Sequence, residues 1–229
     1  MEQKVIEALN SVRYRVATES RDLEKIYRLR YLCYRAEETI SENELGLMTD
    51  PFDDTANCLH VSVEMDDKIL AALRLHLVSK LSLASPTLKV FPELQDYVSQ
   101  GKTILDPTRF VIDPSARRKR LPLHFLALRI PFLAAMFYTI DLALAPVRAE
   151  HTPFYRRYLG YKKEFEPRAY PSLKKPIQLL TANFGEQSEA VLARTPVFGP
   201  MEAFPKANIS FPSLSGVYAP SKEGRSEAA

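Results

Sequence analysis

Residues 69–78, ILAALRLHLV, constrain this chain more than any other segment. They alternate as a strand, with Ile69, Ala71, Leu73, Leu75 and Leu77 on one face and Leu70, Ala72, Arg74, His76 and Val78 on the other. The second face is apolar apart from His76 and the cation at its centre. A buried guanidinium needs an anionic partner. A fold that buries this strand therefore has to bring a carboxylate to Arg74.

The same conflict recurs twice. Segment 20–38 reads as a helix, with Ser20 as its N-cap and Asp22 and Glu24 in its first turns. Leu23, Ile26, Tyr27, Cys33 and Tyr34 form its apolar stripe, and Arg30 sits in the middle. Segment 104–112, ILDPTRFVI, reads as a strand holding Asp106 and Arg109. A regular strand would point these two to opposite faces, and a bulge at Pro107 would turn them to the same one. Taken singly, each feature has a bland reading: Arg30 snorkels to solvent, the strand face is partly solvated, and Asp106 and Arg109 form a local ion pair. Together with the acidic loop DPFD, which supplies Asp50 and Asp53, they suggest one cluster of Arg30, Arg74, Arg109, Asp50, Asp53 and Asp106. Such a cluster would hold a zwitterionic small molecule, with an arginine on its carboxylate and a carboxylate near its ammonium.

The remaining pattern is that of mixed α/β structure around one core. Strands are expected at 13–18, 58–65, 69–78, 104–112, 142–150 and 177–182, and helices at 20–38, 88–99, 121–138 and 153–159. Segment 121–138 is apolar nearly all round, so its side away from the sheet needs either another apolar neighbour or a ligand. His124, Arg129 and Pro131 interrupt it, which argues against a membrane span. Residues 1–195 read as the folded domain and the proline-punctuated 196–229 as an extended tail, disordered at its end.

A net charge of +3 is too weak to suggest nucleic acid. Cys33 and Cys58 read as reduced residues of a cytoplasmic protein. The four histidines lack metal-ligand spacing, and no nucleophile elbow or phosphate loop occurs.

Segment 151–163, HTPFYRRYLGYKK, resembles the FY-x-x-x-GF signature of the GNAT acyltransferases. Within that superfamily, the order of Arg30 and Tyr34, of Asp50, Phe52 and Asp53, of Arg74, and of Asp106, Arg109 and Phe110 resembles two branches. These are the acyl-homoserine-lactone synthases and the N-acyl amino acid synthases of the FeeM type. Ile40 stands where the lactone synthases carry tryptophan, Asp106 stands where they usually have glutamate, and segment 149–180 looks more like the FeeM type. The resemblance implies a GNAT fold, a mixed and mostly antiparallel sheet flanked by helices. It implies transfer of a long acyl chain from an acyl-carrier-protein thioester, its phosphopantetheine serving as co-substrate, to the amine of an amino acid. Lactone synthesis, an ornithine-lipid type of acylation and a non-catalytic carrier-binding module are the alternatives.

No permanent cofactor is expected. The roles expected are Asp106 as base with Arg109 orienting it, and Arg30, Tyr34, Asp50, Asp53, Arg74, His151 and Tyr155 as substrate-binding residues. The loop SARRKRLP, residues 115–122, has no glycine to wrap a coenzyme A pyrophosphate. Its Arg117, Arg118, Lys119 and Arg120 suit an acidic carrier protein instead. An amphiphilic product would allow peripheral contact with a membrane.

Overall fold

The computed structural model describes residues 2–117, 121–170 and 173–220. Seven strands form one sheet: β1 (Arg13–Ala17), β2 (Cys58–Met65), β3 (Lys68–Val78), β4 (Ile104–Ile112), β5 (Leu142–Val147), β6 (Lys162–Lys163) and β7 (Gln178–Asn183), in the order β1-β2-β3-β4-β5-β7-β6. The helices are α1 (Glu2–Leu9), α2 (Ser20–Ala36), α3 (Pro86–Val90), α4 (Gln95–Ser99), α5 (Pro114–Arg117), α6 (Leu123–Phe137), α7 (Thr152–Leu159) and α8 (Phe184–Arg194). No helix among the described residues is long and apolar enough to cross a membrane.

All strand pairs are antiparallel except β4 with β5. That pair is in register at only two positions, Ile104 with Leu142 and Leu105 with Ala143. Beyond them the strands part. Each carries a proline past that point, Pro107 and Pro146, and proline has no N–H to offer a ladder. The sheet is therefore split at its centre.

The period-two reading of β3 decides the layers. Leu73, Leu75 and Leu77 join the main core with α6 and α1, while Ala72 packs with Ile26, Leu29 and Cys33 of α2 on the opposite face. The bulge of β4 is displaced from the position expected. Arg74 pairs with Thr108 and Ala72 with Val111, so Arg109 and Phe110 together oppose Leu73. Arg109 accommodates the extra residue at φ 54°, uncommon for a residue with a Cβ.

Several expectations are corrected. Ser20 is the first helical residue of α2, and Glu19 occupies the cap position without a side-chain cap bond. The expected helix over 88–99 is two short helices joined by a 3₁₀ turn at Pro92–Leu94, because Pro92 cannot donate to the preceding turn. The strand expected to reach 150 ends at Val147 and gives way to a turn at Ala149–His151. Helices α1, α5 and α8 and strand β6 come in addition to the expected elements.

The expected extended tail is instead packed. It forms 3₁₀ turns at Pro196–Phe198, Met201–Ala203 and Pro205–Ala207, and buries Val197, Phe198, Ala207, Ile209, Phe211 and Tyr218 in the main core. Arg129 of α6, 1% exposed, explains why it folds back. Its guanidinium donates to the carbonyls of Val197 at 2.9 Å, Ala207 at 2.8 Å and Pro200 at 2.9 Å. Residues 221–229, where a disordered end was expected, lie outside the described residues.

Candidate active site

The three arginines at apolar positions meet in one buried network. Arg30 Nη1 donates to Asp53 Oδ1 at 2.7 Å. Arg74 Nη1 donates to Asp50 Oδ1 at 2.7 Å and Asp53 Oδ1 at 2.8 Å, and its Nε donates to Thr108 at 3.0 Å. Arg109 Nη2 donates to Asp50 Oδ2 at 2.5 Å. Asp50 and Asp53 thus bridge α2, β3 and β4 from the loop between α2 and β2. Asp53 also accepts the Asp50 N–H at 2.8 Å, which closes the loop on itself.

Burial alone would raise both carboxyls, but the adjoining guanidinium groups outweigh it. The net shift holds Asp50, beside Arg74 and Arg109, and Asp53, beside Arg30 and Arg74, below the ordinary carboxylate value. Burial, followed by Asp53, acts on Arg30, and its net shift is downward; for Arg74 the two carboxylates override burial, and the shift is upward. His60 takes a hydrogen bond from Arg30 Nη2 on Nδ1 at 2.9 Å. Arginine can only donate, so the His60 proton resides on Nε2, which donates to the Asp53 carbonyl at 3.0 Å. Burial and then the Arg30 charge lower its pKa, so His60 is neutral here.

Asp106 is not part of this network. It is fully buried and accepts hydrogen bonds from the Ser85 hydroxyl at 2.6 Å, the Thr87 hydroxyl at 2.7 Å and the Thr87 N–H at 3.3 Å. Ser85 in turn caps α3 by accepting the Leu88 N–H at 3.0 Å. Burial is the largest influence on Asp106 and raises its pKa. The expected pairing of Asp106 with Arg109 is therefore replaced: Asp106 anchors α3, and Arg109 binds Asp50. The cause is the place of the bulge, which turns Arg109 and leaves Asp106 in regular register opposite His76.

The split of the sheet encloses a cavity of about 780 Å³. It is lined from the α2 face by Tyr34 and Glu37 and from the α6 face by Leu128 and Phe132, so it threads the gap between β4 and β5. Arg109 joins the cavity to the buried network. Its guanidinium lies over the Tyr34 ring, 5.6 Å from the centroid. Of the expected substrate-binding residues, Tyr34, His151 and Tyr155 line this cavity, as does Arg109, expected to orient the base. Arg30, Arg74 and Asp53 lie behind it at 0%, 0% and 6% exposure. Asp50 and Asp53 instead face a small recess beside Tyr27.

Sequence reasoning missed a second ionic group on the cavity wall. Arg148, at the end of β5, pairs with Glu37 at 3.2 Å and Glu150 at 3.0 Å, and its Nη2 donates to His151 Nε2 at 3.2 Å. Burial first, then Arg148, lowers the His151 pKa. Burial raises Tyr155 and Tyr161, so both phenols stay protonated. Glu37, Arg148 and Glu150 sit at a helix end, a strand end and a turn with no periodic signal, and only His151 and the FY helix beside them were readable. Arg117 ends α5; Arg118, Lys119 and Arg120 lie outside the described residues.

A split mixed sheet with a cavity through the split and the FY helix at its wall defines a GNAT-type N-acyltransferase. The particular family follows from the sequence pattern of the N-acyl amino acid synthase FeeM, which matches residues 25–183; the chain belongs to that family. The fold is similar to that of FeeM, an N-acyl amino acid synthase from uncultured soil microbes, with 14% identity, TM-score 0.66, and coverage of 80% of this chain and 97% of that one. It is also similar to the CoA-dependent acyl-homoserine-lactone synthase BjaI, solved with SAM and isopentyl-CoA, with 17% identity, TM-score 0.63, and coverage of 90% and 96%. An acyl-CoA N-acyltransferase from Pseudomonas aeruginosa aligns at 18% identity and TM-score 0.53, over 75% of this chain and 99% of that one. No curated protein matches the chain in sequence.

Proposed function

We propose that the enzyme transfers a long acyl chain from an acyl-carrier-protein thioester to the amine of an amino acid. The observation that carries this reading is the cavity through the split sheet. Its volume of about 780 Å³ is that of a site for a drug-sized ligand. Its walls include Leu128, Phe132, Ala135, Leu144, Phe154 and Val191, which suit a hydrocarbon chain far longer than acetyl. The basic loop without glycine, Arg117 to Arg120, favours a carrier protein over coenzyme A as donor.

In this reading the thioester carbonyl lies at the gap. Backbone amides of β4 and β5 that face the gap beyond the last ladder pair would stabilise the oxyanion. The acceptor's carboxylate takes Arg148 or Arg109, the two arginines among the described residues of the cavity wall. Drawing Arg148 away frees His151 Nε2, and the neutral imidazole takes one proton from the acceptor ammonium. The amine nitrogen then bonds to the carbonyl carbon and the C–S bond breaks. The second amine proton leaves with the thiolate, for which the protonated Tyr155 hydroxyl is the relay. Holding both substrates in one cavity supplies much of the rate. Arg30, Arg74, Asp50 and Asp53 act by holding Arg109 and the loop in place.

Mass spectrometry of lipids from a bacterium overexpressing the chain tests the reading. An N-acylated amino acid supports it. A lactone, an aminolipid or no new lipid contradicts it.

A further inference from the structure

The family pattern ends at residue 183, yet part of the cavity wall comes from beyond it. Phe184, Gln187, Ser188 and Val191 of α8 line the cavity, at the i, i+3, i+4, i+7 spacing of one helix face. Phe184 meets Phe132 of α6 edge to face, with ring centroids 5.0 Å apart. Behind that contact Phe198 stacks on Phe132 at 5.6 Å and reaches Phe125 at 6.1 Å. Phe132 is therefore held between two rings from the same C-terminal segment. That segment is pinned to α6 by the three carbonyl bonds of Arg129.

We infer that segment 184–220 sets the acyl-chain length the enzyme accepts, through a wall made by Phe184 and Ser188 of α8 and Phe132 of α6, with Phe198 as a positioning residue behind it. This rests on the reading of the cavity as an acyl site. Within a packed wall an extra methylene has to displace a ring held on both sides, and cores resist such overfilling. A methylene that fits contributes about a fourfold gain in affinity, the equivalent of about 0.8 kcal/mol. Discrimination between neighbouring chain lengths should therefore be steep on both sides of one optimum.

The test is a series of straight-chain acyl donors from acetyl to palmitoyl, at one fixed amino acid acceptor, for the full-length chain and two variants. Phe184→Ala shortens the wall and should move the optimum to longer donors, with at least a tenfold gain for a donor two methylenes beyond the parent optimum. Ser188→Leu adds bulk from a half-buried position and should move the optimum to shorter donors. Because Ser188→Leu removes no core contact, it carries the test if Phe184→Ala does not fold. Opposite shifts in the two variants, or a shift to shorter donors in Ser188→Leu alone when Phe184→Ala is unfolded, support the inference. A parent enzyme with a sharp optimum that folded variants leave unmoved overturns it while leaving the acyl-site reading intact. A flat profile in the parent enzyme overturns both.

Discussion

The guanidinium of Arg109 lies over the ring of Tyr34 with its central carbon 5.6 Å from the centroid, and the same guanidinium binds Asp50. Through this side chain, and through Thr108 on Arg74, a network buried beneath α2 reaches the wall of the cavity in the split sheet. Cutting the network should therefore disturb both stability and the site.

Arg74→Ala leaves Asp50 and Asp53 facing each other without the cation they share. Removing one partner of a buried ion pair typically costs about 3–5 kcal/mol. The variant should lose stability on that scale in urea unfolding. A loss below about 1 kcal/mol would show that the network is solvated in solution.

Stability should fall in mild acid. Burial holds the folded His76 pKa to about 3, against 6.5 ordinarily. Below 6.5 the unfolded chain therefore binds a proton that the folded chain refuses, and stability drops by up to ~1.4 kcal/mol per pH unit for this histidine. His60, also lowered, adds in the same direction. Asp50 and Asp53 are depressed carboxyls, so their contribution is present above the ordinary carboxylate value and is lost as pH falls towards their folded values. Asp106 is raised and acts oppositely: its contribution is present below the ordinary value and is lost as pH rises through the folded one. Urea midpoints should hold near neutrality, decline below about pH 6.5 and fall faster below about pH 4. A midpoint constant from pH 8 to 5 would contradict the assignment of neutral buried histidines.

Asp106→Asn separates a structural carboxyl from a base. With Asp106 sealed under Ser85 and Thr87, the variant should alter stability but keep the acidic limb of the pH–rate profile. Loss of that limb would restore Asp106 to the role first expected of it. His151→Ala should remove the limb.

Much of this arrangement was legible because charge burial is costly. Arg30, Arg74 and Arg109 stood on otherwise apolar elements, and the economical partners were the carboxylates of the DPFD loop together with Asp106. The site of the bulge was not legible: Pro107 pointed to it, but the register slips at Arg109 and Phe110, and this moves Asp106 out of the cluster. Helix α8 was missed because only Val191 of its residues is fully buried, so its periodic signal is weak. The tail was missed because its hold on the core joins scattered apolar residues to three backbone carbonyls gathered by Arg129, partnerships that no local pattern encodes.

Arg129→Met tests that hold. Losing bonds from a charged donor to three carbonyls should cost more than about 3 kcal/mol. Limited proteolysis should then cut between residues 195 and 220 well before the rest of the chain. Cleavage at the parent rate would show that the aromatic contacts of Phe198 and Phe211 suffice.

The cavity through the split sheet is proposed to take a long acyl chain. The most direct measurement is the rate of amide formation with donors from acetyl to palmitoyl on acyl carrier protein, at a fixed amino acid. At roughly 0.8 kcal/mol per buried methylene, the account predicts a steep rise in kcat/KM to donors of about ten carbons or more. A flat profile, or a preference for acetyl, would contradict it.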